Sequence, residues 1–489
     1  MEDSLLELLT IRATTEADRI AVISDRESIS YRELITRSSR LAREMFGSSF
    51  SAGDRGSLSP LHPQLPLSVT AEISSSFVEL WWAAILARVP LLLHHTGDPP
   101  ARLARYQATA GIGGTLSYEG EGSTSGGKWH LQPIEQPSQT SPSRASALIA
   151  TSGSSGEPKI IAIPSTHLFA SAMRVNDRLS VSHDSVWLLS LFPCHIGGLS
   201  IIVRAMVAGC ALVIPDDLKR STIHRAAITH QVTHLSLVPS VVEEFLAVGP
   251  MPTSVRVLLL GGERIPTTKR AMLASIPQCV VSYGATETSS CIISARLVDL
   301  AETAPDAVGT PLANTTIRII DEQGQEVPPG EIGTIEVHGP TIIEKCDRDV
   351  SRAVGGASSP PGDSSDYGTW RSSDIGFVDS HGCLHVIGRC DDVIISGGVN
   401  IRGSEVADTA LSSGLVEEAY VVKAPDPRWG EQPILFVSGL KGSLATLSDV
   451  LRGSLGAHRT PRHIEVVESL PRTAIGKIDR EALLKNLHK

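Results

Sequence analysis

Closely spaced cysteine pairs and long apolar runs are both missing from this chain of 489 residues. Its seven cysteines include no Cys-x-x-Cys pair, which argues against a zinc site or a redox-active disulfide. We therefore expect reduced, structural thiols. No apolar run is long enough to span a bilayer, and the acidic start, Met1 to Leu6, lacks the basic-then-apolar order of a signal peptide. These absences predict a cytoplasmic protein without membrane insertion.

An excess of positive charge is also missing. The formal net charge is −10, which gives no general attraction for nucleic acid or for anionic membranes. We therefore expect no nucleic-acid partner, and any site for a polyanion must be local. With 41% hydrophobic residues, a chain of this length can form two or three domains with large cores.

Short apolar runs alternate with segments of helix length. Val186–Leu191, His234–Val238 and Val255–Leu260 have the length and composition of buried strands, and Ile196–Val207 has those of a helix. Such alternation is typical of βαβ units around a largely parallel sheet, so the pattern predicts an α/β fold.

A run of hydroxyl residues and glycines ends in a lysine directly after the apolar Ala147–Ala150. Glycines let the backbone approach an anion, hydroxyls donate hydrogen bonds, and a lysine adds a point charge. Pro158 precedes the lysine, which distinguishes the run from the loop that ends in Gly-Lys-Ser/Thr. A flexible Gly/Ser loop is the alternative interpretation. The residues predicted to bind phosphate are Thr151, Ser152, Gly153, Ser154, Ser155, Gly156 and Lys159.

Two further motifs follow apolar strands. The segment 282–287 places a ring, a glycine, a hydroxyl and a carboxylate at a strand end, where open α/β sheets bind ligands. Tyr283 could stack on a purine, and Glu287 is a suitable Mg²⁺ ligand beside a triphosphate. Another strand ends in Gly261-Gly262-Glu263, which lets a flat group approach the backbone. For each motif alone, a tight turn after a buried strand is at least as good an interpretation.

The last quarter of the chain carries polar residues suited to a sugar and to a phosphoryl group. Asp374 could accept hydrogen bonds from both hydroxyls of a ribose, and Arg389 could donate to the same sugar or to a phosphate. Lys477 follows a glycine in a short loop after Pro471, where it could stabilise developing phosphoryl charge.

Together these motifs resemble the adenylate-forming superfamily of acyl-CoA synthetases, carrier-protein adenylation domains and luciferases. The matching segments, in the order of that family, are Thr151–Lys159, Tyr283–Glu287, Trp370–Gly376, Gly388–Ile401 and Pro471–Arg480. The resemblance implies a large N-terminal domain of layered sheets and helices (αβαβα) over residues 1–390 and a small, mobile α+β domain over residues 391–489. It also implies a two-step ligase. A carboxylic acid attacks the α-phosphate of ATP and releases pyrophosphate, and a thiol such as that of CoA then displaces AMP.

The resemblance also assigns roles to residues. Thr286 would contact the α-phosphate, and Glu287 would help to ligate Mg²⁺. Lys477 would catalyse adenylation and leave the site when the small domain rotates about Asp391. The cofactor-binding residues that it implies, besides the run at 151–159, are Gly261, Gly262, Glu263, Ser282, Tyr283, Gly284, Asp374, Arg389, Gly397 and Gly398, the last two lining a tunnel for pantetheine.

The acyl substrate is indicated by the segment 192–204. His195 occupies the place of the family's substrate-side aromatic or histidine. The resemblance therefore makes it a catalytic and substrate-binding candidate. The alternative is a core residue, which a histidine in apolar surroundings more often is. No aspartate stands nearby to bind an α-ammonium group, so an amino-acid substrate is disfavoured. Arg204 interrupts an apolar helix and needs an anion, either a protein carboxylate or a second carboxylate on the substrate.

This combination most resembles the o-succinylbenzoate–CoA ligases of menaquinone biosynthesis. The second carboxylate of that acid could lie near Arg204 or bind through hydroxyls such as those of Ser289 and Ser290. The alternatives are another aryl- or fatty-acid–CoA ligase, a stand-alone adenylation enzyme that loads a carrier protein, and a non-catalytic nucleotide-binding relative. The sequence leaves the oligomeric state open, and a homodimer is one possibility.

Overall fold

The computed structural model describes residues 4–46, 65–119, 127–134, 145–152, 158–343, 367–472 and 478–486. Its first elements are α1 (Ser4–Thr15), β1 (Ile20–Ile23), β2 (Ser28–Ser30), α2 (Tyr31–Phe46), β3 (Leu67–Thr70), α3 (Ser75–Ala87), β4 (Leu91–His94), α4 (Pro100–Ala110), β5 (Gly114–Glu119), β6 (Lys128–Pro133), β7 (Ala145–Ser152) and β8 (Pro158–Pro164). Strands β5, β3, β4 and β7 run parallel, with β6 and β8 antiparallel at the two edges. We call this the first sheet.

Helix α3 shows why this part of the chain folds as it does. Apart from two serines and Glu79, its residues are apolar, including Trp81 and Trp82, and a helix with so little polar surface must be buried on nearly all sides. The hydroxyl of Ser74 accepts a hydrogen bond from the backbone N–H of Phe77 at 3.1 Å and so caps its first turn. It ends at Arg88, whose φ of 56° turns the chain into β4.

The second sheet contains the βαβ alternation that the sequence predicts. Its elements, with the helices between them, are α5 (Ser165–Arg178), β9 (Val186–Leu188), α6 (Ile196–Ala208), β10 (Ala211–Val213), α7 (Arg220–Thr229), β11 (His234–Leu237), α8 (Val242–Val248), β12 (Val257–Leu260), α9 (Thr267–Ala274), β13 (Cys279–Ala285), β14 (Ser290–Arg296), α10 (Leu297–Leu300) and β15 (Thr310–Pro311). The strand order is β15-β14-β13-β12-β11-β9-β10-β1-β2, and the strands from β13 to β1 are parallel.

The remaining strands form two smaller sheets. Their elements are β16 (Thr316–Ile320), β17 (Gly333–Gly339), β18 (Gly368–Val378), β19 (Leu384–Arg389), β20 (Val393–Ser396), β21 (Val399–Arg402), α11 (Gly403–Ser412), β22 (Glu418–Asp426), β23 (Gly430–Ser438), α12 (Leu444–Leu455), β24 (His463–Val466) and α13 (Arg480–Asn486). Strands β16 to β19 form an antiparallel meander, and β20 to β24 form a separate sheet. A single turn of 3₁₀-helix, Cys390–Asp392, lies between the two and contains the predicted domain boundary.

The hydrophobic cores follow the same division. One cluster joins both parallel sheets through the helices packed against them, with Leu93 of the first sheet, Leu212 of the second and Trp82 among its members. The cores beyond residue 392, around Leu435 and Phe436, are separate. The predicted α/β class, with a large N-terminal and a smaller C-terminal domain, is confirmed. Helices of the described ranges fall short of the length and apolar content that a bilayer crossing requires.

The start of α6 allows a stability prediction with an internal control. A Cβ at Gly198 would lie 2.2 Å from the carbonyl oxygen of Phe192, whereas a Cβ at the adjacent Gly197 would meet only a Leu191 methyl at 3.4 Å. We expect Gly198→Ala to destabilise the protein by about 1–3 kcal/mol through overpacking and to displace the 192–195 loop. Gly197→Ala should be neutral or slightly stabilising, because alanine is the better helix former. Thermal melts of the two variants check this, and equal melting temperatures would contradict it.

Candidate active site

A large cavity lies where the carboxyl ends of strands from both parallel sheets meet. It has a volume of about 1500 Å³, ample for a nucleotide and a small acid. The end of β13 and the loop after β12 contribute from the second sheet, and the β7–β8 hairpin contributes from the first. The predicted residues that line it are Thr151, Lys159, Gly262, Glu263, Ser282, Tyr283, Gly284, Thr286, Glu287, Asp374 and Arg389.

Other predicted residues lie elsewhere. Within the described ranges, those outside the lining of the cavity are Gly261, His195, Arg204, Ser289, Gly397 and Gly398. The predictions for Gly153, Ser154, Ser155, Gly156 and Lys477 fall outside the described residues. For Ser152 and Asp391 the structure gives the backbone course, in β7 and in the 3₁₀ turn respectively.

Lys159 and Glu287 connect the two sheets across the cavity. Thr151 and Lys159 are paired in the β7–β8 hairpin, and the Thr151 hydroxyl donates to the Lys159 carbonyl at 3.3 Å. The Lys159 Nζ lies 3.3 Å from Oε1 of Glu287, with 38% of the lysine side chain and 17% of the glutamate side chain exposed. Each group thus offsets the charge of the other, while the lysine stays accessible to an anion from the cavity.

A buried phenol holds the carboxylate that the sequence assigns to ribose. The Tyr283 hydroxyl donates to Oδ2 of Asp374 at 2.7 Å. Burial, followed by the nearby Asp374 charge, raises the pKa of Tyr283 well above its usual value, because both disfavour a phenolate. The tyrosine therefore remains a donor at any pH near neutrality. Asp374 is the strand partner of Arg389, whose guanidinium donates to the Ser373 hydroxyl at 3.1 Å.

Close backbone packing explains the glycine pair after β12. A Cβ at Gly261 would lie 2.5 Å from the Ser282 hydroxyl, which itself donates to the Leu260 carbonyl at 2.9 Å. Gly262 has a φ of 81°, in the left-handed region that favours glycine. The carboxylate of Glu263 accepts from the backbone N–H of Ser240 at 3.3 Å. These contacts fix the loop that forms one wall of the cavity.

His195 stands at the N-cap of α6, half-buried, in the loop predicted to face the acyl group. The adjacent Phe192 ring meets His95 edge-on, with ring centroids 4.4 Å apart. His94 is buried as well, and burial lowers its pKa, so it is a neutral imidazole at physiological pH. Neither His94 nor His95 belongs to the motifs that the sequence presents. The contact with Phe192 depends on a packing between two sheets that no local pattern reports.

Arg204 is a buried cation without a counter-ion. It is 2% exposed, and one of its guanidinium nitrogens donates to the Ser290 hydroxyl at 2.9 Å. Its Nε has no hydrogen-bond partner, and no carboxylate of the described residues pairs with it. Burial lowers the pKa of Arg204 to about 10, so the group is still a cation at neutral pH. An arrangement of this kind is costly unless an anion joins it.

The hydroxyl of Ser289 points away from Arg204. Ser289 is fully buried and donates to the Thr341 carbonyl at 2.9 Å. The following residue, Ser290, supplies the hydroxyl that contacts the arginine and also donates to Ser200 at 3.3 Å. The chain turns here through left-handed φ values of 55° and 105° at the two serines. This turn begins two residues after Glu287, which lines the cavity, whereas the two serines and Arg204 are not among the lining residues.

The small domain contributes to the same cavity. Leu470, Arg472 and Ile478 are among the residues that line it, together with Glu287. Gly397 and Gly398 form the two-residue turn between β20 and β21, with φ values of 57° and 82°. The N–H of Gly397 donates to the Trp429 carbonyl at 2.9 Å.

Two arginine side chains stack on the indole of Trp429. The guanidinium carbons of Arg428 and Arg462 each lie 4.7 Å from its ring centroid, and both side chains are exposed. Neither pairs with a carboxylate of the described residues. The two cations thus flank the Gly397–Gly398 turn with open charge.

The residues suit a magnesium ion that arrives with its phosphates. Within the described ranges, no three His, Cys, Asp or Glu side chains come together as a metal-binding group. Mg²⁺ in phosphoryl-transfer sites is usually held by one or two carboxylates plus substrate oxygens, and Glu287 provides one such carboxylate. The donor set therefore matches a metal bound jointly by protein and nucleotide.

Comparison with known proteins agrees with this geometry. Residues 88–345 match the family model of AMP-binding enzymes, and residues 405–477 match that of the AMP-binding enzyme C-terminal domain. The 2-succinylbenzoate–CoA ligase of Enterococcus faecalis is 30% identical over 359 residues, 72% of this chain and 71% of that protein.

Solved structures of similar fold include a CoA synthetase. O-succinylbenzoate CoA synthetase from Bacillus subtilis in complex with its acyl-adenylate intermediate has a TM-score of 0.79 and 25% identity over 97% of both chains. The same protein with ATP and magnesium ion has a TM-score of 0.79 and 24% identity, over 98% of this chain and 99% of that one, which is a likeness of fold.

The hydrogen bond between Tyr283 and Asp374 generates a prediction about nucleotide binding. Tyr283→Phe removes the phenol hydroxyl that donates to Oδ2 of Asp374 and so loosens the orientation of that carboxylate. We expect the Kd for ATP, measured by titration calorimetry, to rise about 5- to 20-fold, as for loss of a hydrogen bond to a charged group. Tyr420 lines the same cavity and forms no side-chain hydrogen bond within the described residues, so Tyr420→Phe is the matched control. An unchanged Kd in Tyr283→Phe would contradict the assigned role of the pair.

Proposed function

The chain belongs to the AMP-binding enzymes, and from that membership we propose that it joins o-succinylbenzoate to CoA with the conversion of ATP to AMP and pyrophosphate. It is an AMP-forming acyl–CoA ligase. The product of this reaction is an intermediate of menaquinone biosynthesis. The observation that carries the choice of acid is Arg204, a buried cation for which the described residues provide no carboxylate partner.

The first half-reaction forms a mixed anhydride. A carboxylate oxygen of the acid attacks the α-phosphorus of ATP, a new C–O–P bond forms, and the bond to the β-phosphate oxygen breaks to release pyrophosphate. Thr151 and Lys159, with the glycines and serines between them, are proposed to hold the β- and γ-phosphates. Lys477, carried by the small domain, is proposed to neutralise charge between the attacking carboxylate and the α-phosphate, and Thr286 to contact that phosphate.

The ion pair of Lys159 and Glu287 supports this assignment. At 3.3 Å the two groups satisfy each other until a ligand brings a partner for each. A phosphate would form an ion pair with Lys159, and Glu287 would then be available to hold a magnesium ion. The metal, when bound, neutralises phosphate charge, and Glu287 would hold it. The exchange replaces one ion pair by two without leaving any charge unpaired.

The nucleoside is proposed to lie between the loop after β12 and strand β18. Gly261 and Gly262 leave the backbone open to the adenine, Glu263 fixes that loop, and Tyr283 provides the ring beside it. Ser282 and Gly284 flank that ring on β13. Asp374 is proposed to accept from the ribose hydroxyls, with Arg389 donating nearby.

A diacid accounts for Arg204 better than a monoacid does. In o-succinylbenzoate one carboxylate is adenylated, and the other is available to the guanidinium and to the Ser290 hydroxyl that already contacts it. An aryl or fatty acid without a second carboxylate would leave the arginine as a buried, unpaired cation. His195 and Phe192 are proposed to contact the aromatic ring, and Ser289 to shape the turn that carries Ser290.

The second half-reaction transfers the acyl group to a thiol. The thiolate attacks the carbonyl carbon, a C–S bond forms, and AMP leaves with the electron pair of the broken C–O bond. We propose that rotation about Asp391 withdraws Lys477 and brings in the Gly397–Gly398 turn, where the open space beside Gly398 leaves room for a pantetheine arm. The unit that rotates is then residues 391–489.

CoA is favoured over a carrier protein as the thiol donor. Free CoA carries an adenine ring and phosphates beyond its pantetheine, whereas a carrier protein attaches the same arm to a serine. Trp429 and the open charges of Arg428 and Arg462 stand beside the Gly397–Gly398 turn, where a ring and phosphates would bind. The carrier-protein alternative would leave these three side chains without a partner in the reaction.

The remaining proposals concern setting and assembly. ATP and CoA are abundant in the cytoplasm, and the cysteines of the described residues are all free, so the cytoplasm is the proposed compartment. The homodimer stays a prediction from the sequence, and sedimentation velocity measures it directly.

Pyrophosphate release across a panel of acids tests the proposed function. The panel contains o-succinylbenzoate, benzoates, fatty acids and amino acids, each with and without CoA. We expect release with o-succinylbenzoate alone as a single turnover, and sustained release and acyl-CoA formation when CoA is added. Sustained turnover only with a phosphopantetheinyl carrier protein would favour the carrier-protein alternative. If none of the acids caused pyrophosphate release, the proposed ligase activity would be refuted.

Arg204 gives the sharper test of the substrate. We expect Arg204→Leu to raise the KM for o-succinylbenzoate by about 30-fold or more, since a buried charge pair is lost. The KM for a monocarboxylate analogue that keeps the reacting carboxylate and lacks the other one should change much less. Arg204→Lys should recover part of the loss.

Thermal melts of the same variants serve as the control for folding. Because the wild-type cation is buried without an anion, Arg204→Leu should melt at the same temperature or higher. Equal effects on the diacid and on the monocarboxylate analogue would refute the assignment of Arg204 to the substrate.

A further inference from the structure

An ion pair joins the large and small domains beside the cavity. Arg264 follows Glu263 in the loop after β12, and Asp408 lies on α11, the first helix of the small domain. The two guanidinium nitrogens of Arg264 donate to the two carboxylate oxygens of Asp408 at 2.9 and 2.5 Å. The Thr267 hydroxyl of α9 adds a longer hydrogen bond of 3.4 Å to the same carboxylate. The contact has the parallel two-bond geometry that is strongest for this pair of groups.

The Arg264–Asp408 pair is connected, through the small domain, to the residues on both sides of the segment that contains Lys477. The described residues on both sides of that segment, Arg472 and Ile478, line the cavity together with Glu287. Internal bonds tie this part of the chain to the rest of the small domain: Arg480 contacts Asp392 at 2.8 Å, and Leu470 and Leu483 share a core with Phe436.

Helix α11 belongs to the same small domain, because its Ala410 packs in one core with Leu435 of β23. Strand β23 also carries Phe436, the core partner of Leu470. Holding α11 against α9 therefore holds Arg472 and Ile478 at the cavity.

We propose that Arg264 and Asp408 are positioning residues that favour the adenylation pose by clasping the small domain to the large one; the proposal rests on the proposed function. Rotation about Asp391 must move α11 away from α9, because the clasp joins the two sides of that hinge. Both hydrogen bonds then break between the half-reactions. Of the two side chains, 38% and 20% are exposed. Water therefore weakens the pair, which makes the clasp releasable in every cycle.

The two half-reactions, measured separately, test the clasp. Adenylation is followed as pyrophosphate released in a single turnover without CoA, and thioester formation as the reaction of synthetic acyl-adenylate with CoA. In Asp408→Asn and Arg264→Gln we expect adenylation to slow about three- to tenfold. Thioester formation should be unchanged or faster. A residue with only a structural role would not change the ratio of the two rates in this direction.

Two further variants control the experiment. Glu405 lies on the same helix and pairs with Arg459 at 3.3 Å inside the small domain, so Glu405→Gln removes a comparable ion pair that does not join the domains. It should leave the ratio unchanged. The exchanged pair, Arg264→Asp with Asp408→Arg, should restore part of the wild-type ratio. Equal losses in both half-reactions, or no change in either, would overturn the proposal.

A distance measurement separates failure of the clasp from failure of the proposed function. Spin labels at Glu302→Cys and Asp449→Cys, both at exposed positions in different domains, report the distance between the domains when Cys346 and Cys390 are replaced by serine. We expect a narrow distribution in the wild type and a broader or shifted one in Asp408→Asn. Identical distributions would overturn the clasp, even in a protein that adenylates no acid of the panel.

Discussion

Lys159 of the first sheet reaches Glu287 of the second, and that contact exists because the carboxyl ends of strands in both sheets open on the same cavity. Ligands bind at such edges because the backbone there turns away and exposes loops. One sheet contributes the hairpin that is rich in glycine and hydroxyls, and the other contributes the carboxylate and the ring. Neither sheet has the full set of groups that a nucleoside triphosphate requires. The packing of the two sheets on a shared core is therefore a condition for the site, beyond its contribution to stability.

The site treats its charges in two different ways. Lys159 with Glu287, and Tyr283 with Asp374, are satisfied before any ligand arrives, so they add little strain to the free protein. Among the described residues, the guanidinium of Arg204 contacts the Ser290 hydroxyl and an aromatic neighbour, Trp187, whose ring centroid lies 5.5 Å from the guanidinium carbon. A buried cation left in this state costs stability, and an anionic substrate would reduce that cost. The proposed preference for a diacid rests on this group, because a monoacid would bring no second carboxylate to it.

The division into two domains has a chemical consequence. Under the proposed mechanism, no single arrangement of the two domains brings both Lys477 and the Gly397–Gly398 turn to the acyl group. A small domain with its own cores can move as a unit without loss of internal packing. The contacts between the domains then decide which arrangement is populated. Modest, solvent-weakened ion pairs such as that of Arg264 with Asp408 suit this purpose, since a large apolar interface would hold one arrangement permanently.

The α/β class, the order of the motifs and most of the residues around the cavity could be predicted from sequence because they depend on local patterns. Strand and helix periodicity predicted Val186–Leu191 and Ile196–Val207, and the structure has a strand and a helix there. Glycines next to apolar strands marked the loops at 151–159 and 261–263 for a comparable reason, since only certain residues suit such turns.

Contacts between distant segments could not be predicted in this way. The packing of His95 on Phe192, the choice of Ser290 over Ser289 as the partner of Arg204, and the bond between Tyr283 and Asp374 each join residues from separate elements. The sequence by itself determined which chemical groups are available and the local turns that present them. Only the tertiary structure decided which of these groups meet, because burial, charge pairing and the alignment of two sheets depend on the whole chain at once.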